Sequence, residues 1–227
     1  MAEKAISDWI QDLNDRHWSV RRAAAEALGR SGAPEAVEPL LELLKREEWK
    51  TVRAEAIRAL GCLGDPRSVE AILEALQDPD LHLHRAAEQA CRAFDPAVLV
   101  PRLFQLLRAD YLQLLRDDVN SFQDFLRRIE AIRARVVEVL VALGPEALPW
   151  AVEALQDPNW RVQQAAIQVL GEIGGRPALK RLKPLARRWP FRERVEVKEA
   201  ARQAIARIQT RLRAQGSPHN ERGYRQA

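Results

Sequence analysis

A ten-residue pattern recurs along this chain of 227 residues, and it constrains the fold more than any other feature. Residues 52–61 read Val-Arg-Ala-Glu-Ala-Ile-Arg-Ala-Leu-Gly, residues 20–29 read Val-Arg-Arg-Ala-Ala-Ala-Glu-Ala-Leu-Gly, and residues 162–171 read Val-Gln-Gln-Ala-Ala-Ile-Gln-Val-Leu-Gly. Repetition at a period near 32 residues is typical of solenoids, in which each repeat buries its apolar face against its neighbours. We therefore predict a stack of helical repeats.

Each repeat is predicted to contain two helices. Proline suits the first position of a helix, and apolar residues follow at helical spacing after Pro34, Pro66, Pro96, Pro145 and Pro177. In the second helix small side chains let adjacent helices approach closely, and alanine recurs there at Ala24, Ala27, Ala56, Ala59, Ala87, Ala90, Ala166, Ala201 and Ala204. The sequence predicts an all-α solenoid of about six helical hairpins, a right-handed superhelix with the second helices on its concave side.

The motif Asp-Pro-x-Trp-x-Val-x-x-x-Ala-x-x-x-Leu-Gly, followed by Gly-x-Pro-x-Ala-Val-x-x-Leu, resembles the HEAT-like repeat of phycobilisome lyases over residues 8–107 and 142–209. The resemblance implies a ladder in which an acidic residue of the turn inside a repeat pairs with a basic residue of a second helix. The acidic positions are Asp15, Glu47, Asp78 and Asp157, and the basic ones are Arg21, Arg53 and Lys198. His84 and Gln163 depart from the basic pattern.

The repeat is interrupted once. Pro96 and Pro145 are 49 residues apart, whereas the other such intervals are 30–32 residues, and apolar residues recur at helical steps up to Leu143. We predict a helical hairpin inserted at about 108–131, its second arm a helix of about 23 residues. The apolar stripe either packs the two arms together or leaves residues for a partner, namely Tyr111, Leu114, Val119 and Phe122.

Charge is distributed unevenly. Residues 176–227 contain 15 Lys and Arg against 4 Glu, whereas the rest of the chain has a net charge of −7. Arg187, Arg188 and Arg192 either belong to a solvated helix that caps the last repeat or contact an acidic partner or nucleic acid. The acidic remainder disfavours nucleic acid in the groove. We predict one solenoid over residues 1–209 and a polar, flexible tail over 210–227.

The sequence offers little for catalysis. It has four His and two Cys, with no phosphate-binding glycine loop and no third ligand beside His82 and His84. Cys91 occupies a position that leucine holds in other repeats and is predicted to be buried. There is no apolar run long enough to span a membrane, the first residues do not read as a signal peptide, and we expect a cytoplasmic location. Trp18 and Trp160 hold one repeat position, either packing at the repeat edge or stacking on a base or planar chromophore.

These observations favour a non-catalytic scaffold that binds a protein partner without a cofactor, through the inserted hairpin or through a groove formed by the second helices. The predicted groove residues are Arg22, Glu26, Arg58, Arg85, Gln89, Gln164 and Gln168. The family resemblance implies an alternative, a phycobilin lyase-like or phycobilisome-associated protein that binds phycobiliprotein and bilin, which could be enzymatic. A nucleic-acid binder that uses the basic C-terminal region is the lesser alternative.

Overall fold

The structure, a computed structural model, describes residues 5–108, 122–187 and 195–216. Its helices are α1 (Ile6–Asp12), α2 (Trp18–Ser31), α3 (Val37–Arg46), α4 (Lys50–Leu63), α5 (Val69–Gln77), α6 (Leu81–Cys91), α7 (Pro96–Arg108), α8 (Phe122–Leu143), α9 (Leu148–Ala154), α10 (Trp160–Ile173), α11 (Arg176–Arg187) and α12 (Val195–Gly216). No strand occurs in these three ranges, so the all-α prediction is confirmed. None of the described helices is long and apolar enough to cross a membrane.

Consecutive helices pack in pairs, α1 with α2 through to α11 with α12, which confirms the predicted helical hairpins. The packing divides the chain into two compact units, residues 1–143 and 144–227. In unit 1 the second helices α2, α4 and α6 pack side by side, and α8 packs on α5, α6 and α7. In unit 2 the second helices α10 and α12 pack side by side. The predicted single solenoid over residues 1–209 spans both units and stays a prediction.

The second helices approach one another so closely that glycine is required at the contact. A Cβ atom added to Gly61 of α4 would lie 2.5 Å from the Cα of Ala90 in α6, and one added to Gly29 would lie 2.7 Å from the Cα of Ala59. In unit 2 a Cβ on Gly171 would lie 3.0 Å from the Cβ of Ala204. The glycine that ends the sequence motif therefore sets the spacing of the stack, since any side chain there would push the neighbouring backbone away.

The turns between repeats differ in detail from the sequence prediction. Gly32 and Gly64 end α2 and α4 in the left-handed region, with φ values of 67° and 65°. The prolines that follow do not begin α-helices directly. Pro34–Ala36, Pro66–Ser68 and Gly144–Ala147 form short 3-10 turns, and the α-helix begins immediately after each. Proline stays compatible with these turns because it fixes φ near the helical value and needs no donor there.

In the four turns inside repeats that the structure describes, the acidic residue has a local role that was not predicted from the sequence. Its carboxylate accepts a hydrogen bond from the backbone N–H two residues later, with donor–acceptor distances between 2.7 and 3.0 Å at Asp15, Glu47, Asp78 and Asp157. Such a bond mimics a backbone turn and fixes the direction in which the second helix begins. All four acidic residues thus stabilise their own turn, and Glu47 and Asp78 also pair with an arginine of the ladder.

The ladder implied by the family resemblance forms at two places in unit 1. The Arg21 guanidinium of α2 donates from Nε and a terminal nitrogen to both carboxylate oxygens of Glu47, at 2.6 and 2.9 Å. Arg53 of α4 lies 4.0 Å from the Asp78 carboxylate. In unit 2, Gln163 holds the ladder position that is basic in other repeats. Its buried amide donates to the backbone carbonyl of Asp157 at 2.7 Å and, being uncharged, forms no ion pair.

Helix α8 covers the range in which the second arm of the insertion was predicted. Helix α8 has 22 residues, about 33 Å at the usual rise per residue. Its stripe of Ile129, Ile132, Val136 and Val139 is buried, and α8 packs on α7. Arg135 of α8 also donates to the backbone carbonyls of Leu76 and Asp78 at 3.0 and 2.9 Å, which ties α8 to the end of α5. The predicted hairpin turn lies outside the described residues.

The last helix extends past the predicted end of the solenoid. Helix α12 continues to Gly216, so residues 210–216 are helical, and the assignment of a flexible tail to them was wrong. The reason is that Arg211 donates to the backbone carbonyls of Gly171, Glu172 and Gly174 at the end of α10, and that Ile208 is buried. The remainder of the predicted tail lies outside the described residues.

Substituting Gly61 by Ala should destabilise unit 1, although alanine normally favours a helix over glycine. The added Cβ would meet the backbone of Ala90, and we expect a loss of about 1–3 kcal/mol in the free energy of unfolding. Gly171→Ala should cost less, because its nearest atoms are 3.0 and 3.1 Å away. Urea unfolding of both variants measures the difference, and equal stabilisation by the two substitutions would contradict a packing role for these glycines.

Replacing Glu47 by Ala should destabilise the fold by about 2–4 kcal/mol at pH 7, since it leaves the half-buried Arg21 without its carboxylate partner. Burial alone would raise the pKa of Glu47, but hydrogen bonds from Arg21 and from the Trp49 N–H outweigh it, so the pKa lies below the usual value of a glutamate. A lowered pKa in the folded state means that the stabilisation is present above the unfolded-state pKa and is lost as the pH falls through the folded-state pKa.

Urea midpoints at pH 7 and at about pH 3 test the acid dependence. Glu47→Gln should lose less stability between these two values than the unmodified chain. Glu42→Gln, at an exposed position of α3, is the matched control and should behave like the unmodified chain. An undiminished acid response in Glu47→Gln would rule out a contribution from this carboxylate.

Candidate partner-binding site

Two of the predicted groove residues of unit 1 contact each other across adjacent second helices. The Nε of Arg58 in α4 donates to the Oε1 of Gln89 in α6 at 3.3 Å, and another guanidinium nitrogen lies 2.8 Å from a carboxylate oxygen of Glu55. The three side chains form a polar cluster that crosses from one repeat to the next. Glu55 was not among the residues predicted from the sequence.

The other predicted groove residues of unit 1 stand apart from this cluster. Arg22 on α2 and Arg85 on α6 are exposed. Glu26 is partly exposed and pairs with Arg30 one turn further along α2. The exposed faces of the second helices therefore carry charged side chains in each of these repeats.

Unit 2 contains a defined groove between its two second helices. This α10–α12 groove has a volume of about 330 Å³ and is lined by Gln164, Gln168, Val195, Glu196, Glu199, Ala200, Gln203, Ala204 and Arg207. Three amides, two carboxylates and one guanidinium thus face a single opening. A glutamine amide both donates and accepts hydrogen bonds, so this lining suits the N–H and C=O groups of a peptide backbone.

Sequence reasoning identified the α10 wall of this groove and missed the α12 wall. Glu196, Glu199, Gln203 and Arg207 fall at steps of three or four residues and therefore share one face of α12. That spacing is readable in the sequence. The spacing does not show that this face of α12 lies beside α10, because that depends on the packing of the two helices.

Charge within the groove is unequal. The Arg207 guanidinium pairs with Glu172 of α10, which neutralises the cation of the described lining. Glu196 and Glu199 give the lining residues that the structure describes a net negative charge. The groove therefore favours a ligand that carries a basic side chain.

The remaining predicted site residues fall in other places. Arg187 is exposed and lines a different groove, between α11 and α12. Tyr111, Leu114, Val119, Arg188 and Arg192 lie outside the described residues, and Phe122 begins α8 without a described side chain. Their role in partner binding stays a prediction.

An aromatic pair lies at the start of two second helices in unit 1. The rings of Trp18 and Trp49 are stacked, with centroids 5.6 Å apart and planes inclined by 20°. Both side chains are exposed, at 40% and 53% of their surface. In unit 2, Trp160 instead carries the guanidinium of Arg161 over its ring at 5.0 Å. Packing at the repeat edge thus involves aromatic and cationic neighbours and leaves a flat apolar surface beside α2 and α4.

Metal-ligand residues and cysteines were the candidates for chemistry in the part of the chain that the structure describes. No group of three or more His, Cys, Asp or Glu side chains in that part of the chain could hold a metal ion. Cys91 is buried as predicted, and burial raises the pKa of its thiol to about 12, which leaves the thiolate scarcely populated at neutral pH. Cys62 is exposed and lies inside α4.

Three of the solved structures that match this chain are distant from it. The complex of CpcE and CpcF of phycocyanin lyase from Nostoc sp. PCC7120 is 24% identical, with a TM-score of 0.47, over 88% of this chain and 76% of that one. Human deoxyhypusine hydroxylase in complex with glycerol is 22% identical, with a TM-score of 0.35, over 92% and 86%. A designed armadillo repeat protein in complex with the peptide (KR)4 is 16% identical, with a TM-score of 0.38, over 90% and 100%. No curated protein sequence matches the chain significantly.

The match to a protein family identifies the kind of repeat more clearly than the solved structures do. The HEAT-repeat pattern matches residues 6–92, 50–121 and 126–206, which together cover most of the sequence. It agrees with the paired helices, the glycine contacts between second helices and the two ladder pairs. The finer assignment to the phycobilisome-lyase type of repeat is not part of that match. The chain belongs to the family of HEAT-repeat proteins.

Proposed function

We propose that this chain is a non-catalytic scaffold that binds a protein partner along the exposed faces of its second helices, with the α10–α12 groove as the principal site. HEAT-repeat solenoids typically present such faces to other proteins. The single observation that carries the proposal is the lining of this groove, in which three glutamines and two glutamates face one opening of about 330 Å³.

The lining supports a particular kind of ligand. Amide side chains pair with the backbone of an extended segment whatever its sequence, because every peptide unit offers one donor and one acceptor. Glu196 and Glu199 add a preference for Lys or Arg in that segment. We therefore propose an extended basic stretch of the partner as the ligand, held by its backbone and selected by its charge.

Gln164→Ala, Gln168→Ala and Gln203→Ala in one variant should weaken the partner complex by about tenfold or more, since each lost hydrogen bond contributes about 0.5–1.5 kcal/mol. The partner is first captured with the full chain from the native source and identified. Isothermal titration calorimetry with the purified partner then gives the dissociation constant for each variant.

The matched control replaces three exposed glutamines outside the groove, in the variant Gln123→Ala, Gln156→Ala and Gln209→Ala. It should bind like the unmodified chain. Equal affinities of the two triple variants would remove the groove from the proposal. Binding that survives in both, with a partner that carries no basic stretch, would also contradict it.

A second candidate function has one observation in its favour. The exposed, stacked rings of Trp18 and Trp49 offer a flat apolar surface on which a planar tetrapyrrole could stack. Together with the resemblance of the repeat motif, this supports binding of a bilin in the manner of a phycobilin lyase.

Mixing the chain with phycocyanobilin tests this candidate. Binding should appear as a shifted and intensified visible absorption band, and Trp49→Ala should reduce it, because the substitution removes the more exposed ring. Trp150→Ala, at another exposed tryptophan, is the control. An unchanged bilin spectrum in the presence of the chain would end the candidate, and it would leave the scaffold proposal unaffected.

A further inference from the structure

Helix α12 borders a second groove that has the opposite charge. This α11–α12 groove has a volume of about 450 Å³ and is lined by Lys183, Ala186, Arg187, Arg202 and Ile205. None of the lining residues that the structure describes is acidic. The two grooves are lined by different residues of α12. Glu196 and Glu199 line the α10–α12 groove, whereas Arg202 and Ile205 line the α11–α12 groove.

The cations of unit 2 divide into two groups. Arg207 pairs with Glu172, Arg211 donates to carbonyls at the end of α10, and Arg161 lies over Trp160. These three have structural partners. By contrast, among the residues that the structure describes, no ion pair joins Lys183, Arg187 or Arg202 to a carboxylate.

The basic surface continues along α11. Residues 176–187 contain five Lys and Arg and no acidic residue. Lys180, Lys183 and Arg187 fall at helical steps of three and four, so they share one face, and all three are exposed. Like charges held this close repel each other and favour an anionic ligand that would neutralise them.

The floor of the α11–α12 groove is apolar, and this distinguishes between anionic ligands. Ala186 and Ile205 are half-buried between the cations, and the aliphatic parts of the Lys and Arg side chains extend the apolar area. A phosphate backbone would gain nothing from such a floor. An apolar side chain flanked by carboxylates would gain both burial and charge pairing.

We propose that the α11–α12 groove binds an acidic amphipathic segment of a partner protein. One apolar side chain of that segment packs on Ala186 and Ile205, and its neighbouring carboxylates pair with Lys183, Arg187 and Arg202. This site goes beyond the function proposed above, because it is a separate surface of unit 2 and takes a ligand of the opposite charge.

The probe is a fluorescein-labelled synthetic peptide of about 18 residues, long enough to span α11 as a helix, with leucines at every third or fourth position and glutamates between them. Fluorescence anisotropy with the full chain should show binding. The same peptide with serine for leucine should bind about tenfold more weakly, because it loses the burial of an apolar side chain.

Charge-matched variants locate the site. Lys183→Gln, Arg187→Gln and Arg202→Gln together should weaken binding of the leucine peptide by about tenfold or more. The control Lys45→Gln, Arg92→Gln and Arg213→Gln removes the same charge from exposed positions elsewhere and should change affinity by less than about twofold. Circular dichroism verifies that both variants retain their helix content.

Three results would overturn the proposal: equal binding of the leucine and serine peptides, equal losses in the two charge variants, or tighter binding of a single-stranded oligonucleotide of the same charge with the same dependence on the groove cations. The Gln164→Ala, Gln168→Ala and Gln203→Ala variant should bind the acidic peptide normally. Failure of this proposal is therefore separable from failure of the scaffold proposal.

Discussion

The contact between the backbones of neighbouring second helices is the constraint on which the rest of each unit depends. Gly29 faces Ala59, Gly61 faces Ala90 and Gly171 faces Ala204, and a Cβ would not fit at the first two contacts and would be tight at the third. At this separation the small residues exclude water without bulky side chains, and the larger apolar residues of the first helices fill the remaining interior. The burial of Ala24, Ala56, Ala87 and Ala166 follows from the same geometry.

The polar turns orient the second helices that the small residues bring into contact. Close contact between two second helices limits how far one can slide along the other. It does not determine the direction in which the chain enters each second helix. The acidic residue of the turn fixes that direction by binding the backbone N–H two residues later, and Arg21 and Arg53 join successive repeats. The surfaces proposed for binding consist mainly of second-helix side chains that take part neither in the contacts between second helices nor in the turns.

Most of the fold could be predicted from the sequence, because the period of the motif and the positions of Ala, Gly and Pro carry the geometry directly. The motif does not encode the start of α3, α5 and α9 in 3-10 turns, or the end of α12 at Gly216. The 3-10 turns depend on local geometry at the proline. The end of α12 depends on hydrogen bonds from Arg211 to the end of α10, which is 37 to 40 residues earlier in the sequence. Of the candidate sites, the α10 wall was predictable as an exposed helix face. The α12 walls and the Trp18–Trp49 stack required knowledge of which helix faces which.

The placement of α12 has a consequence for any two ligands bound in its flanking grooves. A Cβ added to Gly171 would lie only 3.0 Å from the Cβ of Ala204, so α12 has little room to move closer to α10 at this contact. The charges of the two grooves also act on each other through the helix. Ligands of opposite charge on the two sides would attract each other through the helix, and linkage makes that assistance mutual. Salt would weaken it over a Debye length of about 8–10 Å, comparable to the width of one helix, so the coupling would be adjusted by ionic strength without any movement of the protein.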